Sequence, residues 1–127
     1  MVTAVSRIRH REVARLDADR LQHLVEEYGE PGAERFVGRA LEAIAVRLSK
    51  AERAWRRGDS VRLCQGAREL SDIAGQIGLP SLQRVAMDVS RVAIAGDSAA
   101  LGATVARMVR LGESSLMAAW ELDGTMM

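Results

Sequence analysis

One cysteine in 127 residues, Cys64, leaves no disulfide to form within the chain, so the fold must rest on its core alone. A domain of this length withdraws roughly two-thirds of its extended surface from water, which is enough without a covalent staple. Aromatic residues make up 3% of the chain and apolar residues 48%, so Ala, Val, Leu and Ile must fill that core. This filling suits closely spaced helices better than a sandwich of strands, and no stretch alternates with period two. No apolar run approaches the roughly 20 residues of a membrane-spanning helix. The opening "MVTAVSRIRHREVARL" also lacks the continuous apolar stretch of a signal peptide. A soluble protein of the reducing cytoplasm is expected, with no membrane partner.

Neither sign of charge dominates. Lys and Arg total 18 against 17 Asp and Glu, so no global field exists to hold a polyanion, and nucleic acid is not an expected partner. Lysine is almost absent, Lys50 being the only one, and the arginines that supply the rest keep their charge at any physiological pH. Catalytic signatures are missing as well. The two histidines, His10 and His23, stand apart from Cys64 and from paired carboxylates, so no zinc ligand set is visible. There is no Gly-rich phosphate loop with Lys and Ser or Thr, and no nucleophile elbow. Neither an enzymatic activity nor a metal or cofactor is expected, and both histidines read as solvated or packing residues.

What the chain does contain is helical periodicity with sparse, regular punctuation. A short helix is predicted over about Leu16 to Tyr28, stopped by "YGEPGA", where Gly29 suits a C-terminal cap and Pro31 the first turn of the next helix. From about Pro31 to Arg57, Val37, Leu41, Ile44, Leu48, Ala51 and Trp55 recur in steps of four and three and share one face. Gly58-Asp59 pairs a terminating glycine with an N-cap aspartate. The helix that follows, about Ser60 to Ile77, carries Leu63, Ala67, Leu70, Ala74 and Ile77 inward. Gly78 and Pro80 separate it from a helix over Ser81 to Ala95, with Leu82, Val85, Val89 and Val92 inward. Gly96-Asp97 repeats the stop-start signal before a last helix lined by Leu101, Val105, Met108, Leu116 and Ala119, whose Gly112 permits close packing or a slight bend. The expected fold is all-α: an antiparallel, up-down-up-down four-helix bundle with a short extra N-terminal helix capping one end. Residues 1–15 form a basic extension, 16–122 the bundle and 123–127 a frayed tail that includes Met126 and Met127.

The order of the segments "LVEEYGEPGAERFVGRALEAI", "WRRGDSVRLCQGARELSDIAGQIGLPSL" and "AIAGDSAALGATVARM" resembles the histidine-containing phosphotransfer (HPt) domain of bacterial two-component phosphorelays, over about Leu16 to Trp120. The family motif runs alanine, histidine, any residue, leucine, lysine, glycine, then small residues, an aliphatic and a glycine. Ala67, Leu70, Ala74, Ile77 and Gly78 keep its frame, but Arg68 stands at the histidine position, Ser71 at the lysine and Asp72 at the glycine. At about 100° per residue Arg68 falls about 140° from Leu63, flanked by Cys64, Ser71, Asp72 and Gly75, and so points to solvent. A phosphoryl acceptor needs a nucleophilic lone pair, and a protonated guanidinium has none. Asp72 would also repel a phosphoryl group.

The resemblance therefore implies an HPt-like signalling module without phosphotransfer, binding a response-regulator receiver domain or a histidine kinase through Cys64, Gln65, Arg68, Ser71, Asp72, Gly75 and Gln76. Arg68 could reach the acidic pocket that receiver domains present to this face, or merely pair with Asp72 one turn on. Cys64 reads as a half-buried, inert thiol rather than a redox-sensitive one. Trp55 and Trp120 read as packing at the bundle ends, and Arg7, Arg9, His10, Arg11 and Arg15 as a solvated helix start. The rival readings are a structural bundle that pairs with itself as a homodimer, or an active relay protein using His10 or His23.

Overall fold

The structure, a computed structural model, describes residues 16–126, with side chains as far as residue 119. The basic cluster from Arg7 to Arg15, the Trp120 side chain and Met127 lie outside what is described. The described residues form four helices and no strand: α1 (Ala18–Arg56), α2 (Ser60–Gln76), α3 (Pro80–Ala95) and α4 (Ser98–Met126).

The helix boundaries follow from the punctuation. Asp17 caps α1, its Oδ1 accepting the Asp19 N–H at 2.9 Å. Gly29 interrupts α1 with φ 77 and ψ 167, a positive φ that glycine adopts freely, and Pro31 follows in the first turn of the second stretch. The boundary expected there is thus a one-residue break inside α1, not a loop. After α1 the Asp59 N–H returns to Ala54 O at 2.9 Å, and Asp59 Oδ1 accepts the Arg62 N–H at 3.1 Å, stopping one helix and starting the next. Gly96 does the same after α3 in the left-handed region, and Asp97 Oδ1 accepts the Ala100 N–H at 3.1 Å.

Each helix packs on its neighbour in the chain, and α1 packs on α4, so the four close into a ring around a shared core. Leu63, Ala67, Leu70, Ala74 and Ile77 of the α2 region are all at most 1% exposed and face Ile44, Leu48, Leu82, Val85, Val89, Val105 and Met108. Burying a large aliphatic side chain of this kind contributes about 1.5–3 kcal/mol. Trp55, expected on the buried stripe of α1, is instead 40% exposed. It sits in the last turn, at the rim of the core layer, with its ring edge over Gly102. The expected frayed tail is instead helical as far as Met126, since "ELDGTM" contains no proline to stop propagation.

Gly112 is a close-packing glycine rather than a bend. A Cβ there would fall inside the van der Waals shell of Leu48 Cδ1 and Cδ2, which are themselves buried. Gly112→Leu is expected to cost about 1–3 kcal/mol in urea denaturation through overpacking. Gly38→Ala, where a Cβ meets nothing within 4 Å, is expected to gain up to about 1 kcal/mol from helix propensity alone.

The N-terminal end of α1 contacts the turn between α2 and α3. The Asp17 N–H donates to Gly78 O at 2.6 Å, Arg20 Nε donates to Gln76 O at 2.8 Å, and Leu24 is 1% exposed. Arg20 thereby supplies a donor to the C-terminal turn of α2, which has no basic residue of its own.

Candidate partner-binding site

The site grows from the seam between α2 and α3. Both helices carry small residues along it, Ala67, Ser71, Ala74 and Gly75 facing Ala86, Ser90 and Ala93, which lets the backbones approach closely. Ser90 on α3 is 1% exposed, and its hydroxyl needs a partner from α2. It finds two: Cys64 Sγ lies 3.2 Å from Ser90 Oγ, and Arg68 Nε donates to the same oxygen at 3.3 Å.

Arg68 is exposed, as its position on the helical wheel predicts. The guanidinium does not pair with Asp72, because the buried Ser90 hydroxyl draws it across toward α3. That bond fixes the stem of the side chain and engages one of five N–H donors, leaving the others available in a planar fork that matches a carboxylate. Asp72 is exposed beside it. Cys64 is half-buried, tucked against Ser90.

Of the expected members of the exposed face, Ser71 is buried and Gly75 half-buried. Ser71 is 3% exposed, and its Oγ donates to Gln83 O at 3.0 Å, so it belongs to the α2–α3 contact. At Gly75 a Cβ would meet Gln83 Nε2 at 2.7 Å, so the missing side chain makes room for Gln83 to cross. The wheel puts both residues at the edge of the buried stripe, and the close approach of α3 shifts that edge over them. Gln65 and Gln76 are exposed but lie on the other flank of α2. Gln65 lines a groove shared with α1, and the Gln76 carbonyl holds Arg20.

By helical position, three exposed apolar side chains fall on the same side of α2 and α3 as Arg68 and Ser90. Val61, one turn before Cys64, is 70% exposed; on α3, Met87 and Ile94, one turn to either side of Ser90, are 40% and 67% exposed. Arg68 and its Ser90 anchor thus stand among exposed apolar groups contributed by two helices. The signal was present in the sequence: Val61 is seven residues from Arg68, and Met87 and Ile94 are seven apart, off the stripe of Leu82, Val85 and Val89.

Among the described residues no three His, Cys, Asp or Glu side chains come together to hold a metal, and no helix is long and apolar enough to cross a membrane. His23 is exposed on α1. The chain has no match among known protein families, curated proteins or solved structures.

Proposed function

We propose that this protein is an HPt-like module of two-component signalling that binds a receiver domain or a histidine kinase without accepting phosphate. It is a cytoplasmic binding or regulatory protein rather than an enzyme. The observation that carries this reading is the exposed guanidinium of Arg68, anchored on Ser90 and bordered by Val61, Met87 and Ile94. A receiver domain presents a cluster of carboxylates in its phosphorylation pocket, and the four free donors of Arg68 complement such a cluster while the apolar side chains supply the surrounding contact area. Phosphoryl capture is chemically closed to a protonated guanidinium.

The proposed architecture is the antiparallel, up-down-up-down bundle, with residues 18–28 acting as an extra short helix over one end. Supporting it are the short turns, the pairing of Cys64 with Ser90 and of Ser71 with Gln83, the break at Gly29 and the docking of Asp17 on Gly78.

Arg68→Ala is expected to weaken binding to the cognate receiver or kinase domain about tenfold by isothermal titration calorimetry, while helicity is retained. Unchanged affinity would remove Arg68 from the interface. Self-association is the competing reading, since Val61, Met87 and Ile94 could also meet a second copy. Light scattering with a receiver pull-down separates the two: a dimer that captures no receiver favours the rival.

A further inference from the structure

On the other flank of α2, between it and α1, runs a groove of about 460 Å³ that the Arg68 face does not use. Arg47, Lys50, Arg53 and Arg57 of the α1 side and Arg62 of α2 line it, and Ala51, Ala54 and Gly66 contribute small groups. Ala51 and Ala54 are buried and form the floor, and a Cβ at Gly66 would meet nothing within 4 Å, so the trough is open above it.

Its charge is local. The whole chain carries a net +1, yet this groove gathers five cations against two carboxylates. Both carboxylates are engaged: Glu69 Oε2 lies 3.2 Å from Arg47 Nε, and Asp59 Oδ2 lies 3.4 Å from Arg62 Nε. Among the described residues, Lys50, Arg53 and Arg57 have no acidic partner. Helix stabilisation accounts for only part of this. Arg53 lies in the last turn of α1, where a cation suits the helix dipole, but Lys50 lies more than a turn before the C-terminus. Arg62 stands in the first turn of α2, the end at which the dipole disfavours a cation.

We propose that this groove binds an extended, acidic peptide segment of a partner protein. From Arg47 to Arg57 the wall runs about 15 Å at the helical rise, the length of four or five extended residues. Carboxylates at every second position of such a segment recur about 6.6 Å apart, close to the spacing of cations three or four residues apart on a helix. The small floor lets the peptide backbone lie low enough for its side chains to reach the wall. A bilayer is too flat to enter a concave trough, and the lining offers no aromatic ring on which a base could stack.

The test is fluorescence anisotropy on the full chain with a fluorescein-labelled peptide of roughly eight residues, alternating glutamate and serine. Saturable binding at low salt that weakens as salt rises is expected. The pair Lys50→Glu and Arg53→Glu is expected to reduce affinity at least about tenfold. Gly66→Met, which keeps every charge but fills the trough, is expected to reduce it too, and Arg68→Ala to leave it unchanged. Circular dichroism checks that each variant stays helical. Absence of binding at low salt, indifference to the charge reversals, or tighter binding of a single-stranded oligonucleotide of equal charge would each overturn the proposal.

Discussion

Gly78→Val is expected to destabilise the protein by about 3 kcal/mol or more, read as a lower midpoint in urea denaturation. Two costs add at this one position. Gly78 has φ 73, where a residue with a Cβ pays about 1–2 kcal/mol. A Cβ would also lie 2.9 Å from both Asp17 Cβ and Arg20 Cβ and 3.1 Å from Asp17 N. These are backbone-attached atoms that cannot swing aside, so the chain before α1 must move, losing the hydrogen bond from Asp17 N–H to Gly78 O and the hold of Arg20 on Gln76 O. Gly58→Val isolates the first cost. Gly58 has nearly the same φ, 72, but nothing lies within 4 Å of a Cβ there, so only the strain of about 1–2 kcal/mol is expected. Equal losses at the two sites would show that the N-terminal end of α1 is not docked on the α2–α3 turn.

The second large effect concerns binding. Ile94→Asp is expected to reduce affinity for the receiver or kinase domain about a hundredfold, the loss expected when an apolar contact is replaced by a charge that repels the partner's own carboxylates. Ile94 is 67% exposed, so stability should change by no more than about 0.5 kcal/mol. Val46→Asp, also at an exposed apolar residue but on α1, is the control expected to leave binding intact. Equal loss from both substitutions would point to a general change in charge rather than to a docking face.

The sequence made the helices and their core legible because those signals are local. Leu63, Ala67, Leu70, Ala74 and Ile77 recur with helical spacing and are all buried, and Gly58-Asp59 and Gly96-Asp97 mark their turns through short-range hydrogen bonds. The exposure of Arg68 followed from the same wheel. What the wheel could not give was the distance of the neighbouring helix. Ser71 and Gly75 sit where an isolated α2 would meet water, and only the approach of α3, with Gln83 crossing the seam, covers them. The cap that Arg20 places on Gln76 joins residues 56 apart, beyond the reach of any local pattern. Val61, Met87 and Ile94 were visible as apolar residues outside the buried stripes, but which of them share a face depends on how α2 and α3 meet. The cations from Arg47 to Arg57 are dense in the sequence of α1, but the groove they line also needs Arg62 and Gly66 of α2, and that wall depends on how the two helices pack.

The most direct measurement is a titration of the isotopically labelled protein with receiver domains from the same cell, followed by amide NMR shifts and by transfer of radiolabel from the phosphorylated receiver. A docking module with arginine in place of the acceptor should show shifts clustered on Val61, Cys64, Arg68, Asp72, Met87 and Ile94, and no label on the protein. Shifts confined to other faces, no shift with any receiver, or a stable, acid-labile label on the chain would contradict it.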